Sequence, residues 1–164
     1  MIEVEDIPAS VGTYALVLAA KSPRKLRIGK LGEVEMRRGF YVYVGSAFGP
    51  GGLAGRLAHH RRITSHPHWH IDYLRAACDL VEIWLIADAR RLEHQWAKAL
   101  ARATGAAIPV TGFGSSDCKC AAHLFWFARR PSPQQTAVLG KAIRYKKEGG
   151  LQAPLRLRGI LQRG

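Results

Sequence analysis

Two tyrosines, one arginine and one histidine, delivered by adjacent elements, could assemble a site that grips and cuts a phosphodiester. Tyr14 follows Gly12 and Thr13 at the head of an apolar run, and Tyr43 lies within Tyr41-Val42-Tyr43-Val44-Gly45-Ser46-Ala47. Arg56 and His60 come next, four positions apart, so a helix would set them on one face. A guanidinium stays charged and can hold two phosphate oxygens at once. An imidazole exchanges a proton near neutrality. A free phenol titrates at about 10 and needs positive charge beside it to act as a base. Phosphodiester hydrolysis needs a deprotonated water, a neutralised phosphate and help for the leaving oxygen.

The surrounding pattern predicts the elements that must carry these groups. Residues 12–20 read as an apolar strand, and residues 25–36 alternate around Gly29 and Gly32 as a basic hairpin. Residues 39–47 form a second main strand, whose Phe40, Val42 and Val44 alternate with Tyr41, Tyr43 and Gly45. Residues 48–52 are a breaker run, and residues 53–62 read as a short helix. A histidine-rich loop fills 64–70, one or two helical turns follow at 71–77, and residues 80–87 are a strong strand. Residues 92–104 have Ala and Leu at helical spacing and stop at Gly105. A Gly/Ser loop covers 108–119, and residues 122–128 make a closing strand. After Pro131-Ser132-Pro133 the pattern changes: residues 134–147 read as a helix and the remainder as a basic tail. The fold class is therefore α/β in its α+β form, a small antiparallel sheet flanked by helices. The expected division is a core domain at 10–130 and a basic C-terminal helix and tail at 131–164.

Composition narrows the partners. The 164 residues suffice for one domain with a real core, and 48% are apolar, which excludes a disordered chain. Against 12 Asp and Glu stand 25 Lys and Arg, a formal charge of +13. Such an excess points to a polyanion, because basic groups release counterions from a phosphate backbone. No apolar run reaches the roughly 20 residues of a spanning helix, so no membrane association is expected. The acidic start, Met1-Ile2-Glu3-Val4-Glu5-Asp6, lacks the layout of a signal peptide, which makes the expected compartment cytoplasmic. Three cysteines, Cys78, Cys118 and Cys120, argue against a disulfide framework there.

Gly12-Thr13-Tyr14 and Tyr43-Val44-Gly45 resemble the two motifs of the GIY-YIG nuclease superfamily, with Thr13 where isoleucine is usual. Leu53-Ala54-Gly55-Arg56-Leu57 occupies the position of that superfamily's arginine. The resemblance extends through His68-Trp69-His70-Ile71-Asp72-Tyr73-Leu74 and Gly112-Phe113-Gly114-Ser115-Ser116-Asp117-Cys118-Lys119-Cys120. From about residue 12 to 127 the chain is similar to the Uri-like branch. It implies a GIY-YIG-like core and a metal-dependent endonuclease acting on DNA, with RNA left open as a substrate. Tyr14 and Tyr43 would position or help deprotonate the water, Arg56 would grip phosphate, and His60 would exchange a proton or donate to phosphate. Glu93, early in the 92–104 helix, would bind the metal. A lone carboxylate with several waters suits Mg²⁺ or Mn²⁺.

Ser46 departs from the superfamily, many of whose members carry a basic group there, and the distal asparagine of several members has no match. The alternative is a nucleic-acid-binding module of weak or absent activity, for which zinc could supply stability. Ser46, Arg61, Arg62, His68, Trp69 and His70 are candidates for contacting nucleic acid. Trp69 is the best base-stacking candidate, whereas Trp84 belongs to the core. Asp72 either orients a histidine or caps the turn at His70. Cys118, Cys120 and His123 could hold zinc, although their spacing matches no familiar finger. The basic C-terminal residues would add phosphate contacts without sequence specificity.

Overall fold

The computed structural model of the chain describes residues 7–115, 118–136, 138–148 and 156–160. Strand β1 (Gly12–Ala20) is central. It pairs antiparallel on one side with β4 (Gly39–Ala47) and on the other with β5 (Asp79–Ala87). The hairpin β2 (Arg24–Ile28) and β3 (Gly32–Met36) stands as a separate two-stranded sheet. With β6 (Leu124–Phe127), β7 (Ile143–Glu148) and β8 (Arg156–Ile160), the main sheet is antiparallel in the order β6-β4-β1-β5-β7-β8.

Alternation along β1 divides the interior into two cores. Tyr14, Leu16 and Leu18 face Leu53 and Leu57 of α1 (Gly52–His60) and Ile71 and Leu74 of α2 (His70–Ala77). Ala15 and Val17 face the opposite way, onto Trp84 of β5 and onto Trp96 and Leu100 of α3 (Glu93–Ala101). Trp84 is a core residue, as its strand context predicts.

Two glycines admit the chain into α1. Gly51 and Gly52 have φ of 85° and 56°, and a Cβ on Gly52 would collide with the carbonyls of Ala9 and Ser10. That close approach lets Ser10 and Pro8 carbonyls accept from the Leu53 and Ala54 amides at 3.0 and 2.9 Å, satisfying the helix start.

The C-terminal expectation needs correction. Residues 134–147 do not form a helix: a 3-10 turn at Pro133–Gln135 leads to β7, which adds to the free edge of β5. The cause is Glu82, completely buried, whose Oε2 and Oε1 receive the Arg130 and Arg144 guanidiniums at 3.1 and 2.5 Å. Trp84 Nε1 also donates to Glu82 at 2.8 Å. Strand pairing there places Ile143 opposite Leu85 and Tyr145 opposite Ile83. The predicted helix over 92–104 ends at Ala101. Much of the basic tail, including Arg163, lies outside the described residues, as do the acidic start and Ser116 and Asp117 of the loop motif. Among the described residues no helix is long and apolar enough to cross a membrane.

Candidate active site

The β1–β4 register sets Tyr14 opposite Gly45 and Leu16 opposite Tyr43, so both tyrosines project from one face. Gly45 is required by this arrangement, because a Cβ there would collide with the ring and hydroxyl of Tyr14. Arg56 approaches from α1. Glu93 comes from the opposite layer, at the first turn of α3. Its helix start is anchored by the buried Thr13, whose Oγ1 accepts from the Leu92 amide at 3.3 Å. A polar cleft of about 380 Å³ results, lined by Tyr14, Tyr43, Arg56, Glu93, His68 and His70.

His60 does not line this cleft. It is 1% exposed and sits behind Tyr14, its Nε2 2.7 Å from Tyr14 Oη. Burial, reinforced by His59 and Arg56, pushes its pKa down to about 3, so the ring is neutral near pH 7. Burial also raises the Tyr14 phenol well above its ordinary value, helped by Tyr43 and opposed by the Arg56 guanidinium. The pair is therefore a neutral phenol against a neutral imidazole. The two share one hydrogen bond, whose direction follows the imidazole tautomer.

Glu93 is half-buried. Burial pushes its carboxyl up, but the His123 ring and the Ser46 hydroxyl beside it outweigh that and hold the carboxyl below its ordinary value. Its Oε1 lies 2.9 Å from His123 Nδ1, an ion-pair distance without the alignment of a hydrogen bond. Ser46 thus stands beside the Glu93 carboxylate and helps to keep it ionised.

The histidine loop is fixed by Asp72, which fulfils both of its expected roles. Its Oδ2 accepts from the His68 and Trp69 amides, each at 2.9 Å, and its Oδ1 meets His59 Nε2 at 2.9 Å. Burial raises the Asp72 carboxyl, but those amides and His59 more than offset it and keep it ionised. The histidine it orients is His59. His70 Nδ1 accepts from the Gly114 amide at 3.0 Å, and burial lowers its pKa, consistent with a neutral ring. Trp69 carries the Arg56 guanidinium over one face, 4.5 Å from the ring centroid, so that face braces the arginine. Arg61 and Arg62 follow α1 and lie outside the cleft.

Cys118, Cys120 and His123 come together as their sequence positions suggest, and His94 joins them from α3. Chain spacing does not announce His94. Its one sequence signal is adjacency to Glu93. A second grouping, His59, His60 and Asp72, is already internally engaged.

No curated protein and no solved structure matches the chain. A family match covers residues 13–144, a span holding every side chain just described, so the chain belongs to the family described as domain of unknown function DUF123.

Proposed function

We propose that this protein is a metal-dependent endonuclease of the GIY-YIG type, hydrolysing DNA phosphodiesters. One observation carries the reading: Tyr14, Tyr43, Arg56 and Glu93, delivered by β1, β4, α1 and α3, line a single polar cleft. The +13 charge fits a polyanionic substrate, and the motif resemblance supplies the reaction class.

Arg56, braced by Trp69, would hold the phosphate and offset charge developing on it. The two phenols would orient the attacking water. His60 Nε2, 2.7 Å from Tyr14 Oη, would fix the phenol's orientation rather than take its proton, since a ring whose pKa is pushed down to about 3 is a poor acceptor. Glu93, ionised on the cleft wall, fits a hard divalent ion whose remaining positions are water. When bound, Mg²⁺ or Mn²⁺ would add positive charge next to the phosphate.

The second reading is a nucleic-acid-binding module without cleavage. It is favoured by the commitment of Glu93 to Ser46 and His123. A plasmid-nicking assay with Mg²⁺ on wild type, Glu93→Gln and Arg56→Ala separates the two. Nicking by wild type that falls sharply in both variants supports the nuclease. Equal nicking by all three would mean a contaminant and sink the assignment, and salt-sensitive DNA retention without nicking would establish the binding module.

A further inference from the structure

Behind the cleft, on the far side of Glu93, four soft or borderline ligands converge. Cys118 and Cys120 come from the loop before β6, His123 from the residue preceding that strand, and His94 from α3. One ligand atom from each lies within 4.8 Å of all the others. In a tetrahedral zinc site with Zn–S near 2.3 Å and Zn–N near 2.05 Å, a sulfur–nitrogen edge is about 3.6 Å. Cys118 Sγ and His123 Nε2 are 3.5 Å apart, so one edge already has that length. His123 is 1% exposed, and its other nitrogen faces the Glu93 carboxylate at 2.9 Å. A carboxylate behind a ligating imidazole is the usual outer-shell arrangement of zinc sites, fixing ring orientation and raising ligand basicity.

We propose that Cys118, Cys120, His123 and His94 bind a structural zinc ion, with Glu93 orienting His123 from outside the ligand shell. Two thiolates and two imidazoles make a closed site with no position left for a substrate. The ion ties the segment from Gly112 to His123 to the first turn of α3. That segment forms part of the cleft wall: Gly114 lines the cleft at φ 68°, and Phe113 packs edge-on against Tyr43 at 6.0 Å between ring centroids. The proposal does not depend on nuclease activity. The His59, His60 and Asp72 grouping offers no comparable site, because Asp72 and His60 Nε2 are committed to partners.

Metal analysis of the full chain, purified without an affinity tag and re-equilibrated with zinc, reads the site directly. One equivalent of zinc is expected, retained on dialysis and lost in Cys118→Ser and Cys120→Ser. Glu93→Gln should bind the same equivalent about 10- to 100-fold more weakly. Should the serine variants fail to fold, cobalt-substituted wild type decides. Tetrahedral d–d bands with thiolate charge transfer support the site, and octahedral cobalt without that transfer overturns it. Substoichiometric zinc in wild type, or undiminished zinc in folded serine variants, also overturns it. So does rapid carboxymethylation of Cys118 in zinc-saturated protein, which would mark a Cys118–His123–Glu93 nucleophile instead.

Discussion

The Thr13 hydroxyl accepts the Leu92 amide across 79 positions of chain, tying β1 to the start of α3 one residue before Glu93. Thr13 is completely buried. An isoleucine in this slot would keep the strand but leave the Leu92 amide without that partner. Thr13→Val should therefore cost about 1–3 kcal/mol, the penalty of a buried donor left unmade. Denaturant unfolding measures it. An unchanged midpoint would show that the amide finds another acceptor.

Gly45 and Tyr14 test the close approach at the floor of the cleft. Gly45→Ala drives a methyl into the Tyr14 ring and should destabilise by about 1–3 kcal/mol as the ring is displaced. In a Tyr14→Ala background the same substitution should cost markedly less. A double-mutant cycle measures the coupling, and additive effects would refute the packing explanation.

The two central strands were legible as apolar runs with aromatic and β-branched residues, bounded by glycines and breakers, and the three helices by their spacing: Leu53, Leu57 and His60 repeat at helical intervals on α1. Arg56 and Glu93 were legible because each sits in an element placed by neighbouring breakers. β7 was not. Its residues carry a helix-compatible mixture, and its pairing is decided by Glu82, 62 positions upstream of Arg144. His94 was missed for a related reason, since its companions are supplied by a loop beyond the helix. The role of His60 turned on burial, which places it behind Tyr14 and away from the cleft surface.

Glu82→Gln tests that long-range determinant. Removing the charge leaves Arg144, 13% exposed, beside a neutral amide, while Arg130 at 42% exposure is better solvated. The expected loss is on the order of 3 kcal/mol, as for a broken buried pair. Hydrogen exchange should show β7 amides deprotected before those of β1. Uniform loss of protection would deny β7 its special dependence on Glu82.

Arg56→Lys separates charge from geometry. Lysine keeps the positive charge but loses the planar fork and the stacking on Trp69. On the proposed endonuclease reading, the salt dependence of DNA affinity should stay nearly unchanged, while nicking falls about 100-fold or more. A matching fall in affinity would assign Arg56 to binding alone.

His60 should leave its mark on acid stability. Its folded pKa of about 3 lies below the ordinary 6.5, so between those values the unfolded chain binds the extra proton. Its effect is absent above about pH 6.5 and grows as pH falls toward 3, always favouring the unfolded state. At pH 4 the interval is 2.5 units, which at about 1.4 kcal/mol each makes a loss of ~3 kcal/mol relative to pH 7. His60→Gln cannot titrate and should show a pH 7-to-4 loss smaller by that amount, even if it is less stable at pH 7. Urea unfolding of both proteins at the two pH values provides the comparison. Equal losses would mean that His60 takes up its proton as readily in the folded protein as in the unfolded chain, and that burial does not hold the ring neutral.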